Sequence, residues 1–167
     1  MLAEARRRLP DVEFVCGDMR SFDLGRRFDV IVCMFSSIGY METTRDLAAA
    51  YRTFARHLDA GGVALVEPWF RPDVWRTDGP VAAEVFRGAG GVVSRMNRSE
   101  RDGNVSIMDM HHLVALGDEP VVHFVERHRM GLFTVEDHIR AFAAEGLRAD
   151  HDPEGPLGRG LYTATHG

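Results

Sequence analysis

The chain has 167 residues, of which 45% are hydrophobic, and this content is sufficient for one domain with a buried core. Its formal net charge of −5 argues against a nucleic-acid-binding protein, since such proteins are usually basic. No apolar run reaches the ~18 residues that a membrane span needs, and Met1–Arg8 lacks a signal-peptide core, so we expect a cytoplasmic protein with no membrane partner.

The first part of the chain predicts a parallel sheet with helices on its faces. The predicted helices are Leu2–Leu9 and one that begins at Thr43–Asp46 and ends at Gly61–Gly62. The predicted strands are Val12–Cys16, Asp29–Met34 and Val63–Val66. These strands are almost continuously apolar, which is typical of parallel strands that are covered on both faces.

Beyond Pro72, the predicted strands carry many polar residues, which indicates a sheet with one solvated face. They are Val92–Ser99, Val105–Val114 and Val122–Met130. Asp102-Gly103-Asn104 separates the first two and is a hairpin turn signal. We therefore expect an antiparallel β meander in this region.

The end of the chain returns to the earlier pattern. It predicts a helix, Thr134–Glu145, and two strands, Leu147–Asp150 and Gly160–Thr165. The predicted fold class is α/β, with the meander inserted into a mainly parallel sheet. We divide the chain into residues 1–70, the insertion 71–132, and a final segment 133–167 that rejoins the first sheet.

Two residues follow the first predicted strand. The Asp18 carboxylate is able to accept a hydrogen bond from the exocyclic amine of an adenine ring, while the backbone N–H of Met19 donates to a ring nitrogen. The alternative is a turn aspartate that caps the next segment. The short interval to the next strand favours the adenine site.

Met34, Phe35 and Ser36 lie where the central apolar strand ends. In open α/β sheets, ligands bind at the carboxyl ends of strands, so these residues are candidates for a cofactor site. A backbone carbonyl here would accept from an ammonium group, and the Phe35 ring would cover an adenosine. The alternative is that Phe35 is a core residue.

Glu67 and Trp69 end the third strand on the same predicted edge. Glu67 would orient an amine or accept its proton, and Trp69 would pack against a substrate ring; alternatively, both belong to a strand stopped by Pro68. Arg159, among glycines before the last strand, suits a bidentate phosphate contact, unless it is simply solvated. We expect no metal site, because neighbouring His111 and His112 cannot both face inward from a strand.

The whole chain resembles the C-terminal two-thirds of the amino-sugar N,N-dimethyltransferases, which are class I S-adenosylmethionine-dependent methyltransferases. The resemblance rests on segments in Met1–Val12, Gly17–Arg20, Cys33–Tyr40, Phe54–Leu58, Val66–Trp69, His128–Thr134 and Gly158–Leu161. Met34-Phe35-Ser36-Ser37, Glu67-Pro68-Trp69 and Gly158-Arg159-Gly160-Leu161 are the more specific ones.

This resemblance implies methyl transfer to the amine of a nucleotide-linked amino sugar in antibiotic biosynthesis. It implies that Asp18 and Met19 face adenine, and that Met34, Phe35 and Ser36 line the cofactor site. It also implies that Arg159 approaches the nucleotide diphosphate. The meander would cover the sugar and form a homodimer surface.

The sequence departs from the family pattern in one respect. Strands 1 and 2 of the class I sheet, ordered 3-2-1-4-5-7-6, and the glycine-rich cofactor loop have no counterpart. We therefore expect a partial, truncated Rossmann-like sheet in which Val12–Cys16 has no neighbour, and weak cofactor binding by this chain alone. Two alternatives stay open: a class I methyltransferase with an oxygen or carbon acceptor, and a non-catalytic remnant that completes its fold with a partner chain.

Overall fold

Two four-stranded sheets organise the computed structural model, which describes residues 1–77 and 82–167. Residues 78–81 of the predicted insertion lie outside the described residues. The elements are α1 (Leu2–Arg8), β1 (Phe28–Cys33), a 3₁₀ helix (Ser37–Tyr40), α2 (Thr44–His57), β2 (Leu58–Val66), β3 (Ala82–Gly88), β4 (Gly91–Asp102), β5 (Val105–Leu116), β6 (Val122–Gly131), α3 (Val135–Ala144), β7 (Leu147–Asp152) and β8 (Leu161–His166).

The first sheet has the strand order β1-β2-β8-β7. β1 and β2 are parallel, with Cys33 opposite Val66, so their carboxyl ends meet at one edge. β8 is antiparallel to β2 and places Tyr162 opposite Val66. The beginning of β8 therefore lies at the same edge as the ends of β1 and β2.

Helices α2 and α3 pack over this sheet, and both begin with a threonine cap. The Thr43 hydroxyl accepts from the backbone N–H of Asp46, and Thr134 forms a reciprocal capping box with Asp137. The Tyr51 and Phe142 rings stack with centroids 3.7 Å apart at the centre of the core. Both rings are fully buried, and each such side chain stabilises the fold by about 1.5–3 kcal/mol.

The second sheet, β3-β4-β5-β6, is an antiparallel meander, and this confirms the three strands predicted there. Asp102 pairs with Val105 across a two-residue turn whose Gly103 has a positive φ of 56°, as the hairpin signal predicted. The meander has a fourth strand, β3, which was not predicted from the sequence. Its short glycine-rich connection to β4, with Gly88 opposite Gly91, resembles a loop more than a strand boundary.

One predicted strand and one predicted helix end are wrong. Val12–Cys16 forms no strand in the described chain, because β1 pairs only with β2 and no neighbouring strand offers hydrogen bonds to this segment. Gly61–Gly62 does not end α2, which stops at His57; both glycines lie within β2. A Cβ on Gly62 would lie 3.0 Å from the Asp29 carbonyl oxygen, so this glycine permits close approach of β1 and β2.

The two sheets meet through Trp69 and β5. The indole N–H of Trp69 donates to the Ser106 hydroxyl at 2.8 Å, and that hydroxyl donates to the Met130 carbonyl at 3.0 Å. None of the helices in the described part of the chain is both long and apolar enough to cross a membrane.

Candidate active site at the carboxyl edge of the first sheet

Three segments meet where β1 and β2 end. The backbone N–H of Glu67 donates to the Cys33 carbonyl at 2.9 Å, which continues the parallel pairing beyond Val66. Arg159 lies two residues before β8 and therefore reaches the same edge. The structure thus brings together Phe35, Glu67 and Arg159, which are far apart in the sequence.

Glu67 is completely buried and joins these segments. One carboxylate oxygen accepts from the Phe35 backbone N–H at 2.7 Å. The other accepts from the Arg159 guanidinium, at 2.9 Å from Nη2 and 3.3 Å from Nε. A buried carboxylate is tolerated when it is paired and hydrogen-bonded, and Glu67 meets both conditions.

The turn after β1 has an unusual backbone. Phe35 and Ser36 have φ values of 53° and 56°, and the left-handed region costs a non-glycine residue about 1–2 kcal/mol. The turn is held by the Glu67 carboxylate and by the Ser36 hydroxyl, which donates to the Pro68 carbonyl at 2.7 Å. Two strained residues in succession at a sheet edge indicate a functional constraint on this turn.

Phe35 is not a core residue, because its side chain is 82% exposed. The interpretation of this ring as ordinary core packing is therefore wrong. Ser36, in contrast, is fully buried and serves the turn itself. A large apolar ring that is displayed on a fixed turn is suited to cover a ligand.

Trp69 lies against the Arg159 guanidinium, whose carbon is 5.7 Å from the centroids of both the Trp69 and Phe70 rings. The 3₁₀ helix passes close to the indole: a Cβ on Gly39 would lie 2.8 Å from the Trp69 Cβ. Trp69 therefore connects the strand ends to the meander and flanks the arginine.

Arg159 lines a cavity of about 250 Å³ at this edge. The cavity is lined by Pro68, Phe70, Arg71, Val74, Phe133, His151, Pro153, Glu154, Gly158, Arg159 and Tyr162. Two guanidinium groups and several aromatic rings in one cavity suit a ligand that is both anionic and planar. His151 and Tyr162 were not predicted as site residues, because they carry no local sequence signal of their own.

Asp18 and Met19 lie beside this edge. The Asp18 carboxylate accepts from the Arg20 guanidinium at 2.6 Å, and this bond, together with the Arg20 backbone N–H, lowers the pKa of Asp18 to about 2. The backbone bond is the turn that the alternative interpretation predicted. The Met19 sulfur lies 4.0 Å from the sulfur of Cys33, at the end of β1.

No group of three or more His, Cys, Asp and Glu side chains within residues 1–77 and 82–167 is arranged to hold a metal ion. His111 and His123 face each other on the meander, with Nδ1 and Nε2 3.2 Å apart. His112 lies on the opposite face and stacks on Phe124.

The chain is similar to known methyltransferases. Residues 1–62 match the model of the family described as "Methyltransferase domain". The chain is 47% identical to the dTDP-3-amino-3,4,6-trideoxy-alpha-D-glucopyranose N,N-dimethyltransferase of Streptomyces venezuelae over 97% of its own length and 68% of the relative's. It is also 47% identical to the dTDP-3-amino-3,6-dideoxy-alpha-D-glucopyranose N,N-dimethyltransferase of Streptomyces fradiae, over 100% and 65%.

Two solved structures superpose closely on this chain. The crystal structure of DesVI from Streptomyces venezuelae superposes with a TM-score of 0.94 and 45% identity, over 99% of this chain and 70% of that one. SAM-bound CalS10, an amino pentose methyltransferase from Micromonospora echinaspora, gives a TM-score of 0.86 and 37% identity, over 99% and 70%. The chain thus spans about two-thirds of the length of these relatives, and it belongs to the class I S-adenosylmethionine-dependent methyltransferases as a member of the dTDP-amino-sugar N,N-dimethyltransferase family.

Proposed function

We propose that this protein transfers a methyl group from S-adenosylmethionine to the amine of a nucleotide-linked amino sugar. The observation that carries the proposal is the Glu67 carboxylate, which bonds both the Phe35 turn and Arg159. It fixes the cofactor side of the site relative to the nucleotide side. Two relatives are named for dTDP-linked sugars with the amine at position 3, and a third for one with the amine at position 4, which supports a dTDP-linked amino sugar as the acceptor.

The residues at the sheet edge fit the cofactor. With a pKa of about 2, Asp18 is a carboxylate at neutral pH and is able to accept from the adenine amine, and Met19 supplies a backbone N–H beside it. The exposed Phe35 ring and the Met34–Ser36 turn would hold the adenosine and the ammonium end. When bound, S-adenosylmethionine supplies an electrophilic methyl group.

Arg159 and Arg71 fit the nucleotide. Both guanidinium groups line the cavity of about 250 Å³, and a guanidinium matches phosphate oxygens in a bidentate arrangement. Trp69 and Phe70, which flank Arg159, would pack against the substrate rings. Catalysis would then rest mainly on alignment of the amine with the methyl group and exclusion of water.

Glu67 has two candidate roles in this mechanism. The sequence predicts a base that accepts the amine proton. Both of its oxygens already accept hydrogen bonds, and this favours a positioning role, in which Glu67 holds Arg159 and the Phe35 backbone in place. The prediction that Glu67 is the base stays a prediction until the two roles are separated by mutation.

We also propose how the sheet relates to the complete class I sheet. The order β1-β2-β8-β7 corresponds to strands 4-5-7-6, so strands 1, 2 and 3 have no counterpart among the strands that the structure describes. Val30 and Val32 of β1 are 51% and 58% exposed, which supports the view that this side takes further strands and helices. This observation also favours the second candidate function, a chain that completes its fold with a partner.

A homodimer through the meander is supported by exposed apolar side chains on its outer face. Met96, Leu113 and Val125 lie on adjacent strands of that face. We retain the division into residues 1–70, 71–132 and 133–167 as a proposal for the cofactor half, the substrate or dimer insertion, and the final part of the cofactor half.

The test is methyl transfer by the purified chain. S-adenosylmethionine with a labelled methyl group is incubated with a dTDP-linked 3-amino sugar, its 4-amino isomer or a phenol, and the products are identified by mass spectrometry. Methylation of a sugar nitrogen supports the proposal. Methylation of the phenol alone would favour an oxygen acceptor, and methylation of neither would favour the partner-dependent chain.

A further inference from the structure

Tyr40, at the end of the 3₁₀ helix, reaches a histidine of the meander. Its hydroxyl lies 2.7 Å from Nδ1 of His128 on β6, and the ring centroids are 6.1 Å apart. Tyr40 follows the Met34–Ser36 turn by four residues, and Gly39 before it packs against Trp69. The Tyr40 side chain is 51% exposed, so the pair lies at the accessible boundary between the two sheets.

His128 keeps one nitrogen without a partner. Its Nε2 is buried and has no hydrogen-bond partner among the residues that the structure describes. His57 shows the contrasting case, because its Nδ1 lies 2.7 Å from the Thr53 carbonyl oxygen and its Nε2 accepts from the Leu24 backbone N–H at 3.0 Å. Two bonds fix the tautomer of His57, whereas His128 has a hydrogen bond at Nδ1 alone.

A second tyrosine–histidine pair shows that burial decides whether such a pair is able to take up a proton. The Tyr51 hydroxyl lies 2.5 Å from Nδ1 of His138, but both side chains are buried in the core. Burial lowers the pKa of His138 to about 3, so this pair cannot take up a proton near neutral pH. The Tyr40–His128 pair has the same hydrogen bond at an accessible position.

We propose that Tyr40 and His128 form a proton relay for the acceptor amine, an inference that rests on the proposed function. As the nitrogen–carbon bond forms and the carbon–sulfur bond breaks, the nitrogen acquires a positive charge. The Tyr40 oxygen takes an N–H proton from it and passes its own hydroxyl proton to Nδ1 of His128. His128 ends as an imidazolium, and once the product has left, its Nδ1 proton returns to solvent through the exposed Tyr40 hydroxyl.

The relay removes the proton that alignment of the amine with the methyl group does not remove. An ammonium has no lone pair, so an amine that has received one methyl group must lose a proton before it accepts a second. Burial, followed by the charge of Glu126, raises the pKa of Tyr40, so its hydroxyl stays protonated at neutral pH. Tyr40 therefore accepts a proton only as it donates its own.

Few charged groups face the pair in the described part of the chain. Glu126 lies two residues before His128 on the same face of β6, and its carboxylate is 3.1 Å from Nε2 of His112. Met108, opposite His128 on β5, is apolar. Arg129 points to the other face, where it pairs with Glu42 at 3.0 Å.

The experiment compares Tyr40→Phe and His128→Asn with His123→Asn, a histidine on the opposite face of the same strand. We expect kcat to fall by about 10²–10⁴-fold in the first two, the usual contribution of a positioned base, with KM little changed and a shifted pH profile. A further variant, His128→Ala, leaves space for a free imidazole. Added imidazole should restore the activity of His128→Ala but not that of Tyr40→Phe. His123→Asn should match the unmodified protein throughout.

Two results overturn the relay in different ways. If the unmodified protein methylates the sugar amine and both variants retain its kcat and pH profile, the relay alone is wrong. If the unmodified protein methylates no nucleotide-linked amine, the proposed function fails and the relay fails with it. Tyr40→Phe removes only an accessible hydroxyl, so we expect this variant to fold, which circular dichroism will check. The Tyr40→Phe variant therefore tests the relay even if a His128 variant unfolds.

Discussion

The Glu67 carboxylate receives the Arg159 guanidinium at 2.9 Å across 92 residues of sequence. The carboxylate is fully buried, while the arginine side chain keeps 20% of its surface exposed, so the pair has a buried end and an open end. The second Glu67 oxygen accepts a hydrogen bond from the Phe35 N–H. A movement of Arg159 at the open end would therefore shift the Glu67 carboxylate and, with it, the strained turn at Phe35 and Ser36. If Arg159 binds the nucleotide and the Phe35 turn binds the cofactor, as we propose, the two binding events are coupled through the Glu67 side chain.

Substitution of Glu67 separates its two candidate roles. Glu67→Ala should lower the free energy of unfolding by about 3–5 kcal/mol, because it leaves Arg159 unpaired beside a cavity. Glu67→Gln retains an oxygen for the Phe35 N–H and should be less destabilising. The measurements are denaturant unfolding and the pH dependence of methyl transfer.

The activity of Glu67→Gln decides between positioning and proton transfer. A positioning residue predicts partial activity with a raised KM for the nucleotide sugar, since Arg159 is less firmly held. A base predicts loss of kcat with KM unchanged. The second result would establish Glu67 as the base and remove the need for Tyr40 and His128.

Replacement of Phe35 tests whether strain is retained for function. Phe35→Gly and Phe35→Ala both remove the exposed ring, but only glycine relieves the positive φ of 53°. We expect Phe35→Gly to be more stable than Phe35→Ala by about 1–2 kcal/mol, and both to bind S-adenosylmethionine less tightly than the unmodified protein. Thermal unfolding and calorimetry measure the two quantities, and equal stability of the two variants would show that the turn carries no strain.

The buried His138 gives a pH dependence of stability. Its pKa in the folded protein is about 3, below the ordinary value of 6.5, so the unfolded chain binds this proton more readily. The contribution of His138 is complete above pH 6.5 and declines as the pH falls from 6.5 toward 3. The expected slope is about 1.4 kcal/mol per pH unit for one proton.

His138→Gln should flatten this slope between pH 6 and 4.5, within the interval set by the two pKa values of His138. His151, whose pKa is also lowered by burial, would contribute a smaller residual slope. Tyr51→Phe removes the hydrogen bond and keeps the titrating group, so it serves as the control. A variant slope equal to that of the unmodified protein would show that other groups govern acid stability.

Local signals made part of this fold predictable. Thr43 and Thr134 are followed by aspartates that complete their caps, and Gly103 marks a tight hairpin, so each feature is decided within a few residues. The position of Glu67 on the same edge as the Met34–Ser36 turn followed from the rule that ligands bind at the carboxyl ends of strands, whereas the approach of Arg159 to that edge did not.

The remaining features depend on contacts that sequence patterns do not contain. Val12–Cys16 has the composition of a strand but no neighbour to pair with. Gly62 matched a helix end, whereas its role is the close approach of two strands. The bond between Tyr40 and His128 joins residues 88 positions apart, and no local periodicity indicates it.

The uncovered side of β1 leads to a prediction about self-association. β1 pairs only with β2 among the described strands, and Val30 and Val32 expose more than half of their surface. A strand with free backbone groups and exposed valines is a site of self-association. We expect sedimentation velocity to show concentration-dependent oligomers that the Val30→Lys/Val32→Lys variant reduces, whereas Val121→Lys, in the loop between β5 and β6, does not.

We expect the same side of β1 to limit cofactor affinity. Because the proposed correspondence leaves strands 1, 2 and 3 without a counterpart, calorimetry on this chain alone should show S-adenosylmethionine binding weaker than micromolar. A peptide segment that supplies a glycine-rich strand–loop–helix should raise the affinity and suppress the oligomers together, since both effects arise from coverage of β1. Micromolar binding by the chain alone would mean that Asp18, Met19 and the Phe35 turn suffice to hold the cofactor.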